Sequence, residues 1–372
     1  MNQLAEKILA RIRDHGPISF AEFMKAALYC PVYGYYEKEG DTPGRQGDYY
    51  TSVSVGPLFG ELLALQFAQW LDRLKEGAAN AEFRPSIVEA GAHNGQLAGD
   101  ILTWLHRQRP DLAAKVEYTL VEPSERRQEW QRAKLAAFAG QVRWVKSLAE
   151  AATGSNAVRG IRGIAFCNEL LDAMPVHRLA WDAGQGTWFE WGVAFEFGRF
   201  CWKRLAQPCC DLPPWPNAVL AQLPNGFTLE LCPAAHQWWS EAARVLRAGK
   251  LVAIDYGFAS EPWETPEREH GTLRAYHRHL IAPDVLANPG EQDITAHVNF
   301  YALRQAGEAS GLSTESFVTQ EQFLTSIAAP TFQVAASFGD WTLARIRQFQ
   351  TLTHPAHLGH SFRVLVQSAN GP

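Results

Sequence analysis

The sequence predicts an α/β protein built on an open parallel sheet of the Rossmann-like kind, preceded by a helical segment and interrupted by aromatic-rich inserts. The first observation is the stretch 86–97. Ser86-Ile87-Val88-Glu89-Ala90 reads as a buried strand, Gly91-Ala92-His93-Asn94-Gly95 as a tight turn, and Leu97, Ile101 and Leu105 take up a helical period. The second is that short apolar runs at 116–121, 142–145, 163–167, 250–256, 313–318 and 362–367 alternate with helical patterns, as crossover-connected strands require. The third is size: 372 residues, 47% of them hydrophobic, suffice for a large core.

Taken in order, Leu4, Ile8 and Ile12 mark a first helix. Ser19-Phe20-Ala21-Glu22 is a capping box, with Ile18 and Phe23 placed as a hydrophobic staple, and the helix it opens runs to about Leu28 before Pro31 stops it. The aromatic turn around Tyr33 to Tyr36 leads to a loop containing Gly47, Asp48 and Thr51, polar enough for a surface or a site. A helix at 58–74 and a linker at 77–84 follow. We therefore expect a helical cap with its Gly-Asp-Tyr loop over 1–85 and a sheet domain over 86–372, with inserts at about 178–228 and 258–298. The first insert alternates aromatics (Trp188-Phe189-Glu190-Trp191, Phe195-Glu196-Phe197, Phe200-Cys201-Trp202) and reads as hairpins covering the sheet.

Several classes are disfavoured. No run of 18 apolar residues is present, so no membrane span is expected. The N-terminus carries Glu6 and Asp14 on a helical pattern, unlike a signal or transit peptide, and a cytoplasmic location is expected from it. Six cysteines without a C-x-x-C pair read as reduced thiols. A net charge of −5 leaves no electrostatic footprint for nucleic acid. His277, His279 and His297 lack partners at ligand spacing, so no metal is expected.

The chemistry concentrates where strands end. A dinucleotide fingerprint beginning at Gly91 needs glycines where His93 and Gln96 stand, and no Gly-Lys-Ser/Thr follows. What remains is an acidic-x-Gly-x-x-x-Gly turn, of the kind seen in S-adenosylmethionine-dependent methyltransferases. Gly91 allows close backbone approach, Gly95 lets a helix start against the ligand, and Glu89 supplies an acceptor. Glu122 ends the second strand, where a carboxylate accepts ribose hydroxyls or serves as a helix-start acid. Ser147 ends the third strand. The fourth runs into Asn168-Glu169, with Asp172 three residues later; buried carboxylates need a cationic partner or backbone N–H groups to bond.

These pieces resemble the MidA family, which includes the mitochondrial complex I assembly methyltransferase. The matching stretches are Gly47-Asp48-Tyr49 with Thr51-Ser52, Phe59-Gly60-Glu61-Leu62-Leu63, 89–97, Asn168-Glu169 with Asp172-Ala173-Met174-Pro175-Val176, Asp255-Tyr256-Gly257, Leu273-Arg274-Ala275-Tyr276, and Gln292-Asp293-Ile294-Thr295 with His297-Val298. His93, Pro57 and Asn299 depart from the family's pattern of glycine, glutamine and an acid. The resemblance implies a seven-stranded class I methyltransferase sheet, S-adenosylmethionine as cofactor, and a protein arginine acceptor, with a respiratory complex subunit as the partner of mitochondrial relatives. Gly47, Asp48, Thr51, Glu89, Gly91, Gly95, Glu122, Ser147 and Asn168 are then expected around the cofactor, and Glu169 and Asp172 on the guanidinium. Two alternatives stand beside this reading: a catalytically silent partner-binding module, favoured by His93, and a small-molecule methyltransferase.

Overall fold

The computed structural model describes residues 1–38, 51–76, 84–153, 160–212, 215–261, 264, 268–277, 280–333 and 338–369. The chain divides into two compact units: 1–50 with 172–236 and 258–301, and 51–171 with 237–257 and 302–372. The helix Leu58–Glu76 (read at 58–74 within the N-terminal region) thus belongs with the second unit.

The second unit is the α/β part. Its main strands are β1 (Ser86–Ala90), β2 (Glu117–Val121), β3 (Val142–Val145), β4 (Ile161–Asn168), β5 (Leu246–Phe258), β6 (Ser313–Thr319) and β7 (Phe362–Ala369). In space they run β3-β2-β1-β4-β5-β7-β6. β3 through β5 pair in parallel, and β7 is antiparallel to both neighbours. Among the described residues the sheet has eight strands, against the seven expected; the eighth is two residues long and lies off this path.

Two-sided burial explains why the central strands read as continuous apolar runs. Ile87, Tyr118, Leu120, Ile164, Phe166, Val252 and Ile254 pack with Leu62, Leu63 and Phe67 of Leu58–Glu76 and Leu97, Ile101 and Leu105 of Gln96–Gln108 in one core. Gly60 brings these two helices together, since a Cβ there would lie 2.6 Å from Asp100 Cβ. At the amino ends of the central strands, a Cβ on Gly249 would lie 1.8 Å from the Gly163 carbonyl oxygen, and one on Gly163 2.0 Å from that of Ser86.

In the first unit the capping box on Phe20–Tyr29 is formed as read, with Ser19 and Glu22 bonded reciprocally. The strands His177–Asp182, Thr187–Glu196, Arg199–Arg204, Thr228–Leu231 and Ile18–Ser19 make one antiparallel sheet, and Arg274–His277, Leu280–Ile281 and Asp293–Thr295 make a second. The aromatics largely fill the interior: Trp181 and Trp188 join Leu179, Phe227 and Leu229 in one cluster, and Phe20, Phe23 and Phe200 join Leu4 and Ile8 in another. Phe197, at a hairpin tip, is 96% exposed.

Gly249→Ala forces the added methyl against the neighbouring strand while φ stands at +120°. It should cost at least about 2 kcal/mol, seen as a lower urea midpoint with unchanged slope.

Candidate active site

β1 and β4 are neighbours, yet the sheet continues from β1 to β2 on one side and from β4 to β5 on the other. Such a reversal opens a crevice at the carboxyl ends of the two strands, where ligands bind in sheets of this type. The turns after β1 and β4 meet there.

In the β1 turn Gly91, His93 and Gly95 have φ of +76°, +46° and +85°. A Cβ on Gly91 would lie 2.9 Å from Leu170 Cδ1 and 3.1 Å from Leu170 Cβ. Gly95 starts the helix Gln96–Gln108, its N–H donating to the Ala92 carbonyl at 2.7 Å. His93 holds a left-handed conformation that costs an L-residue about 1 kcal/mol, and its carbonyl accepts from Gln131 Nε2 at 2.9 Å. The backbone therefore explains why glycine suits position 93, and also shows that histidine adopts the turn.

Glu89 is 2% exposed, and its Oε2 accepts the Tyr118 hydroxyl at 2.5 Å. Burial pushes its pKa up to about 7 against the pull of Tyr118, with the Asp100 charge adding to the rise. The acceptor read as facing a ligand thus has a protein donor on the adjacent strand.

Glu122 is buried after β2. Its Oε1 accepts Ser124 N at 2.8 Å and faces Arg127 Nη2 at 3.0 Å, and its Oε2 faces Gln131 Nε2 at 3.3 Å. The helix-start bond weighed from the sequence is present. Gln131, wholly buried, joins Glu122, the His93 carbonyl and Trp144 Nε1, which donates to its Oε1 at 3.1 Å. Ser147 caps the short helix Leu148–Ala151 by accepting from Glu150 N, at the end of the edge strand β3.

After β4, buried Asn168 donates from Nδ2 to Glu169 Oε1 at 3.1 Å, while its side-chain Oδ1 has no hydrogen-bond donor among the described residues. Glu169 has φ +51°, donates its N–H to the Ile254 carbonyl, and takes Ser52 N on Oε1 at 3.3 Å. Ser52 begins the helix Ser52–Val55, which Thr51 caps. Thr51 therefore stands one residue from the amide on Glu169, whereas Gly47 and Asp48 lie outside the described residues. Asp255, fully buried, accepts Leu171 N at 2.9 Å and Tyr256 N at 2.8 Å, and so braces the β4 turn.

Asp172 belongs to the first unit. Its carbonyl accepts Ala296 N at 2.9 Å, and the Ala173 carbonyl accepts the Tyr29 hydroxyl at 2.9 Å. Burial raises the pKa of Tyr276; Arg274 opposes the rise, and the Asp293 and Asp172 charges add to it, so Asp172 shares surroundings with residues 274–276 and 293. The Tyr36 hydroxyl donates to Asp293 Oδ1 at 2.7 Å. Of the histidines, His277 Nδ1 lies 2.7 Å from the Glu291 carbonyl, and burial draws the pKa of His297 down to about 4; His279 lies outside the described residues.

Gln131 and Asp255 were missed as supporting residues, whereas Ser52 belonged to the noted loop. Asp255 stood in a noted motif. Gln131 had one weak signal: the helix Glu125–Lys134 has no apolar stripe, and the residues it buries are Gln128 and Gln131.

The Gly91 turn, the buried side-chain Oδ1 of Asn168 and a carboxylate after β2 fit a ligand with hydroxyls and an amino-acid end. Doubly wound sheets hold nucleoside-containing ligands at such a switch point. The chain matches, over residues 62–318, the family described as "Putative S-adenosyl-L-methionine-dependent methyltransferase", and it belongs to that family. It is 31% identical to a Burkholderia thailandensis protein whose crystal structure is bound to S-adenosyl-homocysteine, with a TM-score of 0.79 over 98% of this chain and 91% of that one. The mitochondrial protein arginine methyltransferase NDUFAF7 homolog of Drosophila melanogaster is 29% identical over 97% of this chain and 84% of its own length. Its Homo sapiens counterpart is 28% identical over 86% and 72%. The chain is accordingly an S-adenosylmethionine-dependent methyltransferase of the MidA type.

These relatives overturn the cytoplasmic expectation, because the curated relatives are mitochondrial. The acid-bearing segment on which it rested, the helix Gln3–His15, packs its apolar face into the first unit's core and carries no compartment information.

A carboxyl whose folded pKa lies above its ordinary 4.5 favours the folded state fully below that value, and the contribution is lost as pH rises through about 7. Glu89→Gln, which keeps an acceptor for Tyr118, should match the parent near pH 4 and exceed its stability at pH 8 by about 2–3 kcal/mol. Urea unfolding across that range measures it. A remaining slope is expected from Asp100, whose pKa burial raises to about 6.

Proposed function

We propose that this protein transfers a methyl group from S-adenosylmethionine to an arginine side chain of a protein. The carrying observation is the meeting of the Gly91 turn with the Asn168-Glu169-Leu170 turn at the sheet's switch point. The acceptor class is supported by relatives named protein arginine methyltransferases. A respiratory complex subunit, implied by the family resemblance, is the first acceptor to test.

The cofactor supplies a methyl group on a sulfonium, open to in-line displacement. Gly91 and Gly95 admit it close to the backbone and to the amino end of Gln96–Gln108. Glu122 takes the ribose hydroxyls, and the Asn168 side-chain Oδ1 takes a donor of the ligand. Thr51 and Ser147 border the same ligand, with Gly47 and Asp48 on the loop leading to Thr51. Glu89 supports the turn from beneath through Tyr118.

An arginine acceptor arrives protonated, its pKa being above about 12. Glu169, held by Ser52 N and Asn168, orients the guanidinium and accepts the proton lost as the new C–N bond forms. The strained φ at Glu169 is the kind of conformation that functional sites keep when the surroundings enforce it. Asp172 provides a second carboxylate for the guanidinium fork.

Calorimetric titration of S-adenosylhomocysteine should show micromolar binding that Gly91→Val abolishes. Undetectable binding to the folded parent protein overturns the cofactor site.

Asp172→Asn and Glu169→Gln should bind S-adenosylhomocysteine as the parent does and lose transfer by about 10²–10⁴-fold, read by mass spectrometry of methylated arginine in protein acceptors. Undiminished transfer in either variant removes that carboxylate from the mechanism.

A further inference from the structure

In the first unit, three side chains from separate segments converge. A ring nitrogen of His177, a carboxylate oxygen of Glu190 and Cys210 Sγ all lie within 4.8 Å of one another. His177 and Glu190 sit on antiparallel neighbours, His177–Asp182 and Thr187–Glu196, with Nδ1 2.7 Å from Glu190 Oε1. Cys210 comes from the segment after Arg199–Arg204. We propose that His177, Glu190 and Cys210 bind a zinc ion that fastens this segment to the sheet. This goes against the expectation of no metal, which weighed other histidines.

The electrostatics favour a cation. Glu190 is 0% exposed; its Oε1 faces His177 and its Oε2 accepts Cys209 N. A divalent ion with one carboxylate, one thiolate and a neutral imidazole makes a site of zero net charge, which suits burial. Burial, with the charges of Glu190, Cys209 and Asp211 adding to it, raises the Cys210 pKa to about 12. Leu179, Trp181, Trp188 and Phe227 pack with Cys210, limiting water's access.

The donor set chooses the metal. Magnesium and calcium require oxygen ligands, whereas one nitrogen, one oxygen and one sulfur suit zinc. Tetrahedral zinc with these ligands separates them by about 3.3–3.8 Å. The ion takes the place of the proton shared by His177 and Glu190, that pair opens slightly, and Cys210 moves inward. Water fills the fourth position. The proton of the Cys210 thiol leaves to solvent, and the His177 proton moves to Nε2.

The test uses the untagged full chain, stripped with chelator and titrated with zinc by calorimetry and with cobalt(II) by absorption. We expect one ion per chain, a thiolate-to-cobalt charge-transfer band with the visible bands of a tetrahedral site, and a zinc-dependent rise in melting temperature. Cys210→Ser and His177→Asn should lose all three, whereas Cys201→Ser, outside the cluster, should keep them. Circular dichroism in chelator checks that the variants fold. The parent's charge-transfer band decides the matter without any variant: its absence, or its persistence in folded Cys210→Ser, overturns the proposal.

Discussion

The close packing of the Gly91 backbone against the Leu170 side chain at the centre of the sheet is the constraint on which this site depends. β1 and β4 lie side by side, and the turns leaving them are so near that Gly91 has no room for a side chain against Leu170. Along the turn that begins there, Gly91, His93 and Gly95 all have positive φ. Asp255 holds the other turn by accepting the Leu171 amide.

Buried carboxylates recur, and each is handled differently. Glu89 takes a phenol and keeps a raised pKa; Glu122 takes a backbone N–H, a guanidinium and an amide; Asp255 takes two backbone N–H groups; Glu190 takes an imidazole and a backbone N–H. A carboxylate removed from water is costly without such partners. Whether it then serves a ligand depends on what acceptor capacity remains. Glu89 sits beneath the turn, while Glu122 follows a strand end.

The fold was largely legible because burial on both faces writes itself into composition. β1 to β5 read as apolar runs ending at polar residues, and the capping box at Ser19 announced its helix through local chemistry alone. The candidate site was legible in outline, since Gly91, Glu122 and Glu169 all follow strands that the sequence revealed. Its supports were not. Gln131 reaches the His93 carbonyl from 38 positions away, and Asp255 reaches Leu171 from 84. No local pattern encodes such pairings.

By itself the sequence determined the class of sheet, the position of the glycine turn and the identity of the acids at the strand ends, because these rest on periodicity and on local backbone preference. The tertiary structure decided strand order, the eighth strand, the partners of each buried acid, and the union of 1–50, 172–236 and 258–301 into one unit. It also decided the meeting of His177, Glu190 and Cys210. The physical reason is that local preference acts over a few residues, whereas the desolvation of a charge is balanced by whichever group the folded chain brings beside it.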